Sequence, residues 1–233
     1  MARSSPRIAA TPRAPRRRPG RAGGKRARNR EKRADQIGRA ALALYLERGI
    51  DGVTIDDIMR RARLAKGSFY RYFRDQTELV GILVAPSADR LRAALAACQA
   101  ATERAHSDAD MGLAYLALAH VLAETVSERA DIVRLYLQES RAPAPARAAR
   151  RPLRALADEI ADRAVALGRA ASRVGVYREL DARVVTLTIV GAAERILFEH
   201  LTRAPFSDPT GVAATVVSII IEGMRLPAAT SAR

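Results

Sequence analysis

The sequence predicts an all-α fold, in which a small N-terminal helical domain with a helix-turn-helix precedes a larger helical domain. Only 4% of the 233 residues are aromatic, and β-branched runs are few, so helices are favoured throughout and no sheet is expected. Helix-start signals recur along the chain, with Thr54, Asp75 and Asp181 as predicted caps, and Gly49 is placed to end the first helix in a left-handed turn. A hydrophobic content of 48% suffices for a packed core. The predicted helices cover residues 31–48, 55–62, 66–73, 90–103, 107–129, 131–139, 153–168, 182–201 and 209–225, and a further helix starts near Gln76 and kinks at Pro86. A Pro-punctuated basic connection is predicted over 142–152 and a turn over 175–180.

The stretch from Thr54 to Phe73 has the pattern of a helix-turn-helix. Thr54 followed by Asp57 resembles a capping box, because the hydroxyl accepts the amide hydrogen of the third helical residue. Residues 63–65 interrupt the pattern before a second helix over 66–73. The apolar positions of the first helix have helical spacing: Ile55, Ile58, Met59 and Ala62.

The second helix carries basic, hydroxyl and aromatic groups over two turns, a composition that suits a DNA groove. Gly67 has no side chain, so a phosphate or a base edge has room to approach the backbone. Lysine and arginine are the usual partners of guanine, and serine discriminates less. The candidate residues are Lys66, Gly67, Ser68, Tyr70, Arg71 and Tyr72.

At these residues the chain resembles the tetracycline-repressor (TetR) family. RARLAKGSFYRYFRDQTEL is similar to the second half of the family's DNA-binding domain, and ALYLERGIDGVTIDDI to its first helix, glycine corner and second helix. The resemblance implies a helix-turn-helix DNA-binding domain over residues 31–80 and a helical effector-binding and dimerisation domain over 81–226. It also implies a ligand-responsive repressor of transcription, which binds a pseudo-palindromic operator in double-stranded DNA as a dimer.

The resemblance assigns roles to the matching positions. Thr54 would face phosphate, whereas Lys66, Ser68 and Arg71 would reach bases or nearby phosphates. Tyr70 and Tyr72 would contact the DNA backbone, although simple core packing is the alternative for both tyrosines.

Three positions depart from the family pattern. Arg63 stands where a glycine usually makes the turn, so either Arg63 takes a left-handed backbone conformation or the turn differs. Ala65 lacks the hydroxyl that often caps the third helix, and Gln76 replaces a phosphate-binding lysine. The basic residues upstream are expected to offset this weaker phosphate clamp.

Residues 1–30 form a predicted disordered Arg-rich arm, because they have little apolar surface. Thirteen of the 40 lysines and arginines lie in residues 1–33 against a single acidic residue, Glu31. Such an arm either stays a solvated tail or enters a minor groove and lies along phosphates, and we favour DNA contact. Its prolines and glycines argue against an organelle transit helix. Residues 227–233 are expected to form a flexible tail.

Composition favours a cytoplasmic location and argues against a membrane protein. The single cysteine, Cys98, allows no intramolecular disulfide, and no apolar run reaches the roughly 18 residues of a membrane span. No metal-ligand spacing, phosphate loop or nucleophile motif occurs, and His106, His120 and His200 lie far apart in sequence. We therefore expect no cofactor, no metal and no enzymatic activity.

Pro86 lies in the segment that joins the two predicted domains. A proline there removes a backbone hydrogen bond and crowds the carbonyl four residues earlier, so a kink is expected. The kink would act as a hinge between the domains. The alternatives are a harmless kink, or a new helix that starts there with Ser87 as its cap.

Two late helices, about 182–201 and 209–225, are apolar on more than one face and therefore need more than one neighbour. Packing each against a twofold-related copy would form a four-helix bundle, so we predict a homodimer. The alternative is that both helices are buried in a large monomeric core.

For an effector, the sequence indicates only a region between about residues 90 and 201, where an apolar lining would favour a hydrophobic small molecule. Each polar candidate is more readily a satisfied core or surface residue than a ligand contact. These candidates are Tyr115, His120, Tyr136, Gln138, Glu194 and His200. A second function class also stays open, a sequence-indifferent nucleic-acid-binding or architectural protein dominated by the basic arm.

Overall fold

The computed structural model describes residues 24–140, 148–173, 181–203 and 205–224. Within these ranges all regular elements are helical and no strand occurs, as predicted. The α-helices are α1 (Lys25–Arg48), α2 (Ile55–Arg61), α3 (Gln76–Glu103), α4 (Asp108–Glu139), α5 (Arg151–Arg173), α6 (Ala182–Thr202) and α7 (Pro209–Met224). Two 3₁₀ helices, Lys66–Arg71 and Ala148–Arg150, precede α3 and α5.

Helix α1 begins at Lys25, six residues before the predicted start at Glu31. Gly24 takes an extended conformation at the N-cap, and the following Lys, Arg and Ala residues favour a helix. The predicted disordered arm over 1–30 is therefore wrong for its last six residues. Residues 1–23 lie outside the described part, and so does the predicted tail over 227–233.

The corner between α1 and α2 depends on two glycines. Gly49 has a φ of 71° and donates its N–H to the Tyr45 carbonyl at 2.8 Å, which ends α1 as predicted. A Cβ on Gly52 would lie 2.5 Å from the Arg48 carbonyl oxygen, so only glycine fits there. Thr54 then caps α2, and Asp57 completes the predicted capping box.

The core around the helix-turn-helix extends beyond residue 80. Its members from α1 to α3 include fully buried Tyr45, Ile58 and Phe69. The same cluster contains residues from the end of α4, from the 3₁₀ helix Ala148–Arg150 and from the start of α5: Ile132, Leu135, Ala149 and Leu153. The core of the predicted 31–80 domain thus continues into residues assigned by sequence to the 81–226 domain.

Helix α3 runs through Pro86 as one helix, so the predicted helices at 76 and 90 are joined and no restart occurs at Ser87. Pro86 is solvent-exposed, so its missing N–H leaves no buried group unpaired. Helix α3 begins as predicted, because the Asp75 carboxylate accepts the Glu78 N–H at 2.8 Å. The backbone leaves helical geometry in α4 instead, at Arg129 (φ −137°, ψ 38°), between the two helices predicted there.

The remaining helices pack around α3 and α4. Helix α3 packs against α4 and α5, α5 packs against α6, and α7 packs against α4. Arg90 of α3 pairs with Glu124 at 2.5 Å and with Glu128 at 2.7 Å, which ties α3 to α4. Asp181 caps α6 as predicted, by accepting two backbone N–H groups.

Two predicted boundaries move in this region. The predicted Pro-rich connection over 142–152 ends early, because residues 148–150 form a 3₁₀ helix and α5 begins at Arg151. Pro152 is tolerated in the first turn of α5, where the N–H groups have no helical partner. The predicted turn over 175–180 lies outside the described residues.

One described helix segment, Ala109–Glu139, is long and apolar enough by composition to cross a membrane, with a mean hydropathy of 1.2. It packs against α1, α3, α5, α6 and α7, and 22% of its apolar window is buried. Nothing in this packing indicates a membrane.

Candidate DNA-binding site

The recognition segment, Lys66–Arg71, is a 3₁₀ helix and not the α-helix predicted over 66–73. Its hydrogen bonds span three residues: the Ser68 N–H donates to the Ala65 carbonyl and the Tyr72 N–H to the Phe69 carbonyl, both at 2.9 Å. No side chain caps its first turn, because Ala65 has no hydroxyl. Buried Phe69 anchors this short segment to the core, which favours the tighter helix.

The outer face of the recognition segment is open. Lys66, Gly67, Tyr70 and Arg71 are exposed, and a Cβ built on Gly67 would meet no atom within 4 Å. Tyr70 is 61% exposed, so the expectation that it packs in the core is wrong. Its ring touches only the edge of this core, in a T-shaped contact with Phe69 at 5.5 Å between centroids. These four residues offer exposed basic and hydroxyl groups beside an open backbone, which is the chemistry that contacts DNA phosphates and bases.

Ser68 and Tyr72 lie at the rim of this surface and are half-buried. The Ser68 hydroxyl donates to the Ala65 carbonyl at 2.6 Å, so its proton is already engaged. The Tyr72 ring packs against the core, and the Arg71 guanidinium lies 5.7 Å from its centroid. Core packing thus accounts for part of the Tyr72 side chain, and its contact with DNA stays a prediction.

Lys66 has a close acidic neighbour that the sequence analysis missed. Its ammonium group lies 2.5 Å from the Asp56 carboxylate, and this hydrogen bond raises the pKa of Lys66. Both side chains are about half exposed or more, so the pair is screened by water and stabilises little. It does hold the Lys66 amine beside α2, where it is charged and available to an incoming acceptor.

Thr54 is committed to the capping box. Its hydroxyl accepts the Asp57 N–H at 3.2 Å and donates to the Asp57 carboxylate at 2.6 Å. The carboxylate also accepts the Thr54 N–H at 3.0 Å, and the hydrogen bonds from Thr54 lower the pKa of Asp57. Thr54 is exposed at the start of α2, and its predicted phosphate contact would compete with this cap.

The turn between α2 and the recognition segment follows the first of the two alternatives predicted for it. Arg63 has a φ of 54°, so it takes the left-handed conformation in place of glycine. Gln36 of α1 supports this turn by donating from its Nε2 to the Ala62 carbonyl at 2.7 Å. Sequence reasoning missed Gln36, since a polar residue on a charged helix gave no signal.

Gln76, at the position of the family's phosphate-binding lysine, has a structural partner. Its Nε2 donates to the Val53 carbonyl at 3.0 Å, which ties the start of α3 to the α1–α2 corner. The side chain that replaces the lysine therefore stabilises the packing of α3 against the α1–α2 corner.

Two of the six candidate effector residues are hydrogen-bonded to each other in the structure. The Tyr136 hydroxyl donates to Glu194 Oε1 at 2.8 Å, joining α4 to α6. His120 is exposed with its Nε2 3.2 Å from Glu124, and Gln138 is exposed on another turn of α4. Tyr115 packs against the small cluster around Cys98, and the His200 ring stacks on Phe206 at 5.7 Å. The described residues contain no cluster of metal-ligating side chains.

Helices α6 and α7 leave apolar side chains in solvent. Val184 is 62%, Leu187 58% and Ile219 65% exposed. Part of this surface is a groove of about 580 Å³ between α6 and α7. Its lining residues are Ile196, Phe206, Ser207, Asp208, Gly211, Val212, Thr215, Val216 and Ile219. Apolar surface of this extent on the two predicted dimerisation helices is typical of an interface.

Comparison with known proteins agrees with this geometry. The family model described as "Bacterial regulatory proteins, tetR family" matches residues 37–81, which span most of α1, the helix-turn-helix and the start of α3. A search of curated protein sequences gives no match.

Similar solved structures extend over most of the chain at low identity. The fatty acid degradation regulator FadR from Bacillus halodurans is 17% identical with a TM-score of 0.61, over 82% of this chain and 99% of its own. FadR from Bacillus subtilis, in complex with stearoyl-CoA, is 14% identical with a TM-score of 0.61, over 82% and 99%. The ketosteroid regulator KstR2 of Mycobacterium tuberculosis is 18% identical with a TM-score of 0.60, over 84% and 96%.

These similarities have different weights. At such identities the solved structures establish the fold, and the match at residues 37–81 identifies the DNA-binding domain. The fold and the domain are those of transcriptional regulators rather than of enzymes. The predicted resemblance is thus confirmed: residues 37–81 match the DNA-binding domain of the TetR family, and the described chain has the fold of TetR-family transcriptional regulators.

Proposed function

We propose that the protein is a homodimeric, ligand-responsive repressor whose two recognition segments bind successive major grooves of a pseudo-palindromic operator. The observation that carries the proposal is the open surface of Lys66, Gly67, Tyr70 and Arg71, set beside the capped start of α2. On this surface Lys66 and Arg71 supply base or phosphate contacts, while Gly67 lets the backbone approach the DNA. Ser68, Tyr72 and Thr54 would add contacts at its rim.

The first experiment tests sequence-specific binding. Footprinting of the purified protein on DNA around its own coding region is repeated across a salt series, with a Lys66→Ala, Tyr72→Ala double variant beside the wild type. A short symmetric footprint that the variant loses is expected. Arg169→Ala, which removes an exposed arginine from α5, is the matched control and should keep the footprint.

Dimerisation through α6 and α7 rests on their exposed apolar residues. Leu187→Glu and Ile219→Glu place a charge on this surface and should convert a dimer to a monomer in sedimentation experiments. Leu113 of α4 is 68% exposed, so Leu113→Glu is a control of equal chemistry outside the two helices. Leu113→Glu should remain a dimer. If Leu187→Glu and Ile219→Glu also remain dimers, the proposed interface is wrong.

For the effector, we propose an apolar small molecule that binds the body of the protein, residues 81–226. The FadR structure with stearoyl-CoA makes long-chain acyl-CoAs the first probes of a ligand screen, and steroids follow from KstR2. Tyr136 and Glu194, which are hydrogen-bonded to each other between α4 and α6, are the polar groups that we propose for this site. The expected effect of a true effector is release of the footprint, because it favours a spacing of the two heads that no longer matches the grooves.

A second function, sequence-indifferent binding of nucleic acid, is favoured by one observation, the thirteen basic residues among positions 1–33. Deleting residues 1–23 removes seven arginines and leaves α1 intact. For a specific repressor, the deletion should weaken binding and its salt dependence but keep the position of the footprint. Diffuse protection that survives in the Lys66→Ala, Tyr72→Ala variant would favour the architectural function. Unchanged affinity after the deletion would show that the arm does not offset the missing lysine at position 76.

A further inference from the structure

The corner between α1 and α2 is bound by two charged side chains from the body of the protein. Glu139, the last residue of α4, accepts the buried N–H of Ile50 on its Oε1 at 3.1 Å. Arg150, from the 3₁₀ helix before α5, places its Nη1 3.4 Å from Asp51 Oδ2. Two adjacent residues of the corner are therefore bound, Ile50 through its backbone N–H and Asp51 through its carboxylate.

These two charged side chains also bind each other. The Arg150 Nε lies 2.6 Å from Glu139 Oε2, and the side chains are only 13% and 5% exposed. A buried carboxylate remains charged only with a close cationic partner, and loss of one partner leaves the other desolvated. Arg150 therefore offsets the buried charge of Glu139 and helps to hold its side chain in place, while the other carboxylate oxygen accepts the Ile50 N–H.

The sequence of the corner accommodates this carboxylate. Gly49 has a φ of 71°, and a Cβ at Gly49 would lie 3.1 Å from Glu139 Oε1. Any side chain there would both strain the backbone and crowd the acceptor of the Ile50 N–H. The conformation of the corner and the position of the Glu139 carboxylate thus depend on each other.

The corner leads directly to the DNA-binding surface. Three residues after Asp51 comes Thr54, the N-cap of α2, and Gln76 binds the intervening Val53 carbonyl. The orientation of α2 in turn sets the recognition segment, because buried Ile58 and Met59 of α2 pack in the same core as Phe69. A shift of the corner would therefore move the groups proposed to contact DNA.

The end of α4 is placed to impose such a shift. It follows the break at Arg129, and its Ile132 and Leu135 are buried in the same core as the helix-turn-helix. On its other side, Tyr136 donates to Glu194 of α6. The last segment of α4 thus contacts both the DNA-binding domain and a proposed dimerisation helix.

We propose that Glu139 is a positioning residue for DNA binding: held by Arg150, it fixes the α1–α2 corner and with it the orientation of α2 and the recognition segment. The inference rests on the proposed function, and it adds a determinant of affinity that touches no DNA. Because only a correctly oriented domain binds the operator, loss of this contact lowers the binding-competent fraction and hence the apparent affinity.

The test compares Glu139→Ala and Glu139→Gln with a charge-matched control. The control, Glu159→Gln, removes a carboxylate of α5 that pairs with Arg92 and Arg163 at 2.8 and 3.0 Å, away from the corner. The probe is a DNA duplex that the wild-type protein selects from a random library. Affinity is measured well below the unfolding midpoint of each variant, and amide hydrogen exchange is followed residue by residue.

We expect Glu139→Ala to lower duplex affinity about tenfold or more. Exchange of the Ile50 amide should accelerate, while exchange in the first half of α4 stays at the wild-type rate. Glu139→Gln keeps an acceptor but loses the ion pair, so its loss of affinity should be smaller. Both changes make the protein more positive and would by charge alone strengthen binding to DNA, as Glu159→Gln should show.

Wild-type affinity of folded Glu139→Ala, or an equal loss of affinity in Glu159→Gln, would overturn the inference. If Glu139→Ala does not fold, Glu139→Gln becomes the test of the inference. Wild-type DNA affinity of Glu139→Gln, together with wild-type exchange of the Ile50 amide, would then contradict the inference. If the wild-type protein selects no duplex, the proposed function fails instead. Exchange at Ile50 then still tests whether Glu139 fixes the corner.

Discussion

Replacing Arg63 by glycine should stabilise the protein, because Arg63 occupies a backbone conformation that costs L-residues energy. Its φ of 54° places it in the left-handed region, at the turn that leads to the recognition segment. A side chain in this conformation costs about 1–2 kcal/mol. Glycine loses about 0.5–1 kcal/mol more conformational freedom on folding than alanine does. At the midpoints of these ranges, the expected net gain of Arg63→Gly over Arg63→Ala is therefore about 0.75 kcal/mol.

Arg63→Ala is the matched reference, since both variants lose the guanidinium and differ only in the Cβ. The free energy of unfolding is measured by urea denaturation, with the midpoint of thermal unfolding as a second measure. The thermal midpoint of Arg63→Gly should lie about 1–4 °C above that of Arg63→Ala. An Arg63→Gly variant no more stable than Arg63→Ala would refute the assignment of strain to this turn. Since the turn is already formed with arginine, specific DNA binding should differ only by the lost charge.

Three further changes test contacts around this domain. Gly49→Ala should destabilise the protein by about 1–3 kcal/mol in urea unfolding, because it strains a φ of 71° and crowds Glu139. Tyr136→Phe should lower the free energy of unfolding by about 1 kcal/mol, through the lost hydrogen bond to Glu194, and leave the far-ultraviolet spectrum unchanged. Asp57→Asn should destabilise the protein at neutral pH but not in strong acid. The pKa of Asp57 is lowered from 3.8 by folding, so its contribution is complete above that value and is lost as the pH falls through the folded-state pKa. Urea unfolding across pH checks this prediction: the free energies of unfolding of the wild type and of Asp57→Asn should become equal as the pH falls.

The sequence was sufficient for the features that local chemistry decides. The capping box at Thr54, the caps at Asp75 and Asp181 and the left-handed Gly49 follow from hydrogen-bonding groups within four residues, and all four are present. The start of α1 at Lys25 was missed because the lack of apolar surface in residues 1–30 was taken to indicate disorder, although lysine, arginine and alanine favour helices.

The features that tertiary contacts decide were not predictable in the same way. The 3₁₀ form of the recognition segment depends on its attachment through Phe69 to the core. The Lys66–Asp56 pair joins residues on either side of a turn whose geometry the sequence left open. The Glu139–Ile50 hydrogen bond joins residues 89 positions apart, and no local pattern marks such a partner. The sequence therefore predicted the candidate DNA-contacting residues but not the tertiary contacts that hold them in place.

The position of the backbone break changes how coupling between the two parts of the protein is understood. A hinge at Pro86 would separate a rigid DNA-binding domain from the body within α3, but α3 is continuous there. The break at Arg129 lies instead in α4, and the segment beyond it is buried in the core of the DNA-binding domain. A ligand that moves α4 or α6 would thus act on this segment directly, and through Glu139 on the α1–α2 corner. Coupling would then need no bend in the connecting helix, only a small displacement of a segment that both parts share.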